Sequence, residues 1–143
     1  MTIAVDFDGT IVEHKYPEIG QEKPFATETL RMLLADHCKL ILWTVREGEL
    51  LDEAVEWCRK RGVEFYAVNK SYPEETLDNN PNFSRKVKAD LFIDDCNLGG
   101  LPDWGTIYDM VKYHKEWRNL IDEAAGHYHS QQQGKKHWWN IFK

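Results

Sequence analysis

The sequence predicts an α/β protein built on a doubly wound parallel sheet, and three observations carry that prediction. Four short apolar runs, over residues 2–7, 39–45, 63–68 and 90–93, read as buried strands. Segments with apolar residues at helical spacing alternate with them. Carboxylates and hydroxyls gather where the strands stop, which is where such sheets place their functional crevice.

The elements follow in order. Residues 2–7 form a β-rich apolar run that ends in Asp6 and Asp8, and Gly9-Thr10 marks a turn. Residues 11–24 mix Glu13, His14, Lys15, Pro17, Gly20 and Pro24, a loop with room for a small hairpin. Phe25, Leu30, Leu33 and Leu34 lie on one face of a helix over 25–37, with Pro24 acceptable just before it. The run KLILWTV, 39–45, is the second strand, and Arg46 and Gly48 break it.

Leu50, Leu51, Ala54, Val55, Trp57 and Cys58 predict a helix over 49–61, with Gly62 as its C′ residue and Lys60 and Arg61 in its last turn. After the third strand, two prolines and Asp78-Asn79-Asn80 make 69–85 a long loop. The fourth strand runs at once into Asp94-Asp95. Gly99, Gly100 and Pro102 form another loop before a long helix over 106–125, with Trp104, Tyr108, Tyr113 and Trp117 as packing residues. The order β-α-β-α-β-loop-β-α predicts a Rossmann-like, three-layer domain over 1–126, followed by a polar and aromatic tail over 127–143.

The totals agree with one domain. A chain of 143 residues buries enough surface, about 68–70% of what it exposes unfolded, for a core of its own. The 42% hydrophobic and 29% charged content argue against wholesale disorder. A net charge of −6 argues against a generally basic nucleic-acid face. Cys38, Cys58 and Cys96 show no paired spacing, so neither a zinc site nor a disulfide framework is expected; reduced thiols suggest the cytoplasm. No signal peptide and no run near the ~20 apolar residues of a membrane span is apparent, so no membrane role is expected.

Asp6 and Asp8 stand at i and i+2 where a strand enters a turn, and both can converge on one pocket. Asp94 and Asp95 bring more negative charge from another strand. Such a cluster is costly unless a cation shares it, and hard oxygen ligands suit Mg²⁺. A hard dication beside a spare carboxylate suits phosphoryl transfer. Gly9 permits close backbone approach, and the turn N–H groups can form an anion nest. For either acidic pair alone, turn formation or helix capping is an equal explanation, and two pairs at two strand ends weaken it.

The segment DFDGT resembles the first motif, DxDx[TV], of the haloacid dehalogenase superfamily. Thr44 in LILWTVREG, Lys86 before the fourth strand, and Asp94-Asp95 in LFIDD match the remaining motifs in order, over about residues 2–110. The resemblance implies a phosphatase. Asp6 would be the nucleophile that becomes an aspartyl-phosphate, and Asp8 the general acid and base. Thr44 would bind a phosphoryl oxygen, and Lys86, preferred over Lys88, would balance charge. It also implies Mg²⁺ held by the Asp6 carboxylate, the Asp8 backbone carbonyl and Asp95, with Asp94 orienting water or the lysine. Backbone N–H groups of Phe7, Gly9 and Val45 would meet the phosphate.

Neither 11–24 nor 69–85 is long enough for a cap domain with its own core, so the chain resembles the capless branch. An open site suits a small phosphorylated substrate under a flap, and also admits a larger phosphorylated one. His14, Tyr16, Tyr72, Asn79 and Asn80 are candidate leaving-group contacts, though ordinary loop chemistry explains each equally simply. Trp138, Trp139, Ile141 and Phe142, beside Lys135, Lys136 and Lys143, suggest docking onto the domain or a homo-oligomer contact. A phosphotransferase, and a non-catalytic protein that binds phosphate ligands, stand as alternatives.

Overall fold

Each strand forms where the sequence places an apolar run, and each stops before its polar end. In chain order the elements are β1 (Thr2–Val5), α1 (Ala26–Ala35), β2 (Lys39–Leu42), α2 (Gly48–Arg59), β3 (Ala67–Val68), β4 (Leu91–Ile93) and α3 (Trp104–Lys112). These come from a computed structural model that describes residues 1–81, 84–116, 119–122 and 125–126. The sheet is four-stranded and wholly parallel, in the order β3-β2-β1-β4. The protein is therefore an α/β protein with a parallel sheet, compatible with a Rossmann-like fold.

The order explains where a site can form. The chain steps outward from β1 through β2 to β3, then crosses back to place β4 on the other side of β1. The direction of winding reverses between β1 and β4, and the crevice of an open sheet lies at the carboxyl ends of such a pair. Asp6 follows β1 and Asp94 follows β4, so both acidic motifs reach that point. Ile3, Ala4 and Val5, and likewise Leu40, Ile41 and Leu42, are buried without alternation, as in parallel strands generally.

The strands are shorter than the apolar runs for identifiable reasons. Beyond Val5 the Phe7 carbonyl accepts the N–H groups of Thr10, Ile11 and Val12, which turns the chain out of the ladder. One bond from Asp6 N–H to the Ile93 carbonyl and one from Trp43 N–H to the Val5 carbonyl carry the pairing slightly further. Val63 cannot begin a strand because its N–H closes α2 on the Cys58 carbonyl. The long connection from β3 to β4 covers a sheet face with Val87, which packs with Ala4, Ile41 and Ala67 against Trp43, Ala89 and Phe92.

The helix ends follow one design with two different residues. Gly62 sits at φ +78 after α2, where its N–H meets the Arg59 carbonyl and that of Val63 meets Cys58, as the sequence predicts. After α1 the same pair of bonds runs from His37 to Leu34 and from Cys38 to Leu33, with His37 at φ +63. A histidine in this left-handed position is strained and carries no sequence signal. The chain divides after Gly105 into two units. In the second, α3 does not continue to residue 125. It stops at Lys112, where His114 at φ +51 and Lys115 close it on Val111 and Met110, and helical conformation returns at the described residues 119–122 and 125–126. Trp117 and the tail residues 127–143 lie outside the described residues.

His37 is exposed, so its backbone angle is the main cost of a side chain there. His37→Gly is expected to stabilise the protein by about 0.5–1 kcal/mol. Urea unfolding with an unchanged slope is the check, and no shift in midpoint would contradict the assignment.

Candidate active site

The site is built from two turns that meet at the ends of β1 and β4. Gly9, at φ +86, permits the reversal after Asp8, and its N–H bonds the Val12 carbonyl at 2.7 Å. A Cβ at Gly9 would collide with the His14 ring and with Asp95 Oδ2, so only glycine lets the two turns close on each other. The N–H of Gly9 is thus consumed by the turn and is not free for a phosphate, contrary to expectation. The Phe7 N–H similarly serves the Asp6 carboxylate. Of the three predicted backbone donors, Val45 alone has no acceptor among the described residues.

Thr10, fully buried, links the acids. Its hydroxyl lies 3.0 Å from Asp6 Oδ2 and 3.3 Å from Asp95 Oδ1, and its oxygen accepts the Asp95 N–H at 3.0 Å. One hydroxyl proton cannot serve both carboxylates at once, so it alternates between them. The Trp104 indole N–H holds the Thr10 carbonyl at 3.1 Å, which fixes the turn from beneath.

Asp6 carries charge that no cation offsets among the described residues. Burial pushes its carboxyl up to about 6, against a lowering by the Phe7 N–H and Thr10. The nearby charges of Asp94 and Asp95 push it in the same direction as burial. Burial also opposes the charge on Asp95. Hydrogen bonds from His14 and Thr10 overcome that and hold its carboxyl below the usual range. His14 Nε2 lies 2.9 Å from Asp95 Oδ2. Asp95 is therefore engaged at both oxygens. Asp94 accepts the Cys96 N–H at Oδ1, and its second oxygen has no hydrogen-bond partner among the described residues.

The strongest contact at the site was not legible in the sequence. Arg46, fully buried, forms a fork on Asp8, with Nε to Oδ2 and Nη2 to Oδ1 both at 2.7 Å. The same guanidinium donates to the carbonyls of Pro17 and Glu18 at 2.9 Å each. It lies between the rings of Phe7 and Tyr16, 5.2 and 5.3 Å from their centres. Arg46 had only the appearance of a strand breaker. It instead ties Asp8 to the 11–24 segment. That segment is a small flap, closed by Val12 bridged to Glu22 and by Glu13 N–H on the Gln21 carbonyl.

Register pairs Val5 with Leu42, so Asp6 and Thr44 leave adjacent strands close to the same level. Thr44 N–H is held by Asn69 Oδ1 at 2.8 Å, and Thr44 Oγ1 accepts the Arg46 N–H at 3.2 Å. The hydroxyl proton of Thr44 has no acceptor among the described residues. Asn69 reaches this position at φ +53 just past β3, and Lys70 follows it, close enough to Glu75 to help hold that carboxyl down. Lys86 has another neighbour. Its ammonium lies 5.0 Å from the centre of the Phe92 ring, and it makes no ion pair with Asp6. Lys88 is exposed. Tyr72, Asn79 and Asn80 tie the 69–85 loop to itself.

Mg²⁺ is tested here by charge and donor type. Asp6 and Asp94 offer hard carboxylate oxygens; burial is the main reason the Asp6 carboxyl is raised, and the charges of Asp94 and Asp95 add to it. Asp94, Asp95 and the Cys96 thiol also lie together. The residues fit the ion.

No family model and no curated protein matches the chain. Among solved structures it is similar to a conserved protein from Bacteroides thetaiotaomicron. The two are 66% identical over 84% of this chain and 96% of that one, with a TM-score of 0.79. The chain belongs to that protein's family. The likeness carries sequence and fold together, and the chemistry must come from the residues.

Two outcomes test this geometry. The carboxyl of Asp6 lies above its ordinary 3.8, so the folded state favours the neutral acid. The stability this contributes is complete below pH 3.8 and is lost as pH rises through about 6. Asp6→Asn, which fixes the neutral form, should stabilise the protein at pH 8 in EDTA. After allowance for solvent screening the gain is about 1–2 kcal/mol, vanishing below pH 3.8. Urea melts at both pH values measure it. Arg46→Met strands a buried carboxylate and should cost about 3–5 kcal/mol. The exposed pair Arg59–Glu56 is the control, and Arg59→Met should leave the melting curve unchanged.

Proposed function

We propose that the protein is a Mg²⁺-dependent phosphohydrolase of the haloacid dehalogenase type, in its capless, three-layer form, acting on phosphate monoesters. The observation that carries this is Asp6. It is a half-buried carboxylate at the winding reversal, near two further acids and with no cation paired to it among the described residues. A metal ion there would offset that negative charge and the charge of a phosphoryl group brought beside it.

In this mechanism Asp6 attacks phosphorus and the bond to the leaving oxygen breaks. Asp8 gives that oxygen a proton, then takes one from the water that cleaves the aspartyl-phosphate. Inorganic phosphate leaves and Asp6 is regenerated. Both oxygens of Asp8 lie in the Arg46 fork, so the proton transfers require the fork to open at one oxygen. Because Arg46 also holds Pro17 and Glu18, that opening is coupled to the flap. The Thr44 hydroxyl and Val45 N–H donate to the phosphoryl oxygens.

When bound, Mg²⁺ neutralises charge on the phosphoryl group. Asp6, the Asp8 carbonyl and Asp94 would hold it, while Asp95 anchors His14 and Thr10. Lys70 would balance charge in this mechanism, because it follows the residue that holds Thr44; to do so it must leave Glu75, beside which it lies, whereas Lys86 faces Phe92. A small phosphorylated substrate under the flap, in the cytoplasm, fits the open site. Transfer to an acceptor alcohol is the related alternative, and competing alcohols in a product assay separate the two.

Purified protein with Mg²⁺ is expected to release phosphate from an aryl phosphate, with activity lost on adding EDTA and abolished in Asp6→Asn. Lys70→Ala should lower kcat at least 100-fold and Lys86→Ala less than 5-fold, about 3 kcal/mol against 1. Failure to cleave any member of a broad phosphate-ester panel would remove the main support for this function. The opposite order of the lysines would restore Lys86 to the site.

A further inference from the structure

A second cavity, of about 530 Å³, opens where β1 and β2 begin. Thr2 and Lys39, the first residues of those strands, lie on its wall. Asp6 follows β1 four residues after Thr2, so it lies about 13 Å along the strand direction from that residue of the wall. The size is within the range of small-molecule sites, about 300–1,000 Å³.

Its charges are distributed unevenly. Lys39, Lys86 and Lys88 line it, in a chain with six more acids than bases. None of the three makes an ion pair among the described residues. Lys39 sits 4.6 Å from the centre of the Tyr66 ring and Lys86 stands over Phe92. Two acids share the wall, and each already has structural partners. Asp90 Oδ2 accepts the Thr2 N–H at 2.7 Å and joins β4 to β1. Glu75 accepts the Ser71 N–H and the Asn80 amide. The Ser71 N–H, working against burial, is the main cause that holds its carboxyl below the usual range, so it is ionised and committed. The cations therefore lack counter-ions while the anions do not need the cations.

We propose that this cavity binds a small organic phosphate. The lysines hold its phosphate, and Tyr66 and Tyr72 offer aromatic surface to the organic part. Nothing at this place resembles a hydrolytic site: the nucleophile, its acid partner and the threonine are all at the other end of the strands. The bound molecule stays intact.

Adenosine 5′-monophosphate and inorganic phosphate are the probes, added in EDTA to the Asp6→Asn protein so that turnover is absent. Calorimetry and amide NMR are expected to show binding of both, tighter for the nucleotide, with shifts at Thr2, Lys39 and Tyr66. Lys39→Met with Lys88→Met should weaken it at least 10-fold without altering the unliganded melting temperature or aryl phosphatase activity. Thr44→Val should leave it unchanged. Binding that survives in the double lysine variant, binding lost in Thr44→Val, or absence of binding for both probes at 10 mM would overturn the proposal, 10 mM being roughly the weak limit of a specific site.

Discussion

The buried fork between Arg46 and Asp8 is the contact on which the rest of the site depends. It joins the turn after β1 to the turn after β2 and holds the tip of the flap through Pro17 and Glu18. Four of the guanidinium N–H groups are thereby occupied, out of five that an arginine offers. Taking two charges out of water is costly, and it is repaid only when geometry and hydrogen bonding are this complete. Lysine, with a point charge and no planar fork, could not make the same set of contacts. The arrangement is thus a specifying device more than a simple gain in stability: one conformation of both turns and the flap satisfies it.

Thr10 performs the equivalent task on the other flank. It carries no charge, yet it brings Asp6 and Asp95 to a shared hydroxyl and is itself held by Trp104. His14 then closes the flap onto Asp95. The result is a graded set of carboxylates. Asp8 is paired with a cation, Asp95 is hydrogen-bonded and ionised, and Asp6 is left with its charge unsupported. In the proposed mechanism that gradient favours Asp6 as the nucleophile. It also favours Asp94, whose second oxygen has no hydrogen-bond partner among the described residues, over Asp95 as a metal ligand.

Much of the fold was legible because its causes are local. Continuous apolar runs gave the four strands, helical spacing gave α1 and α2, and Gly62 gave the end of α2. The strand limits were less legible because hydrogen bonding ends them, as with the three donors on the Phe7 carbonyl. His37 and His114 show the same limit. Each ends a helix in a conformation that glycine usually takes, so composition carries no signal for either stop.

The sequence by itself determined the chemistry available. It set acidic pairs at the ends of two apolar runs and a threonine at the end of a third. Periodicity and composition suffice for that, because they act over a few residues. Only the tertiary structure decided the partners. It set Arg46 on Asp8 across 38 residues and His14 on Asp95 across 81, and it placed Lys86 against Phe92 and Lys70 beside Glu75. Those choices depend on strand order and on which turns meet. Pairing across a sheet is set by register and burial, and no spacing along the chain encodes it.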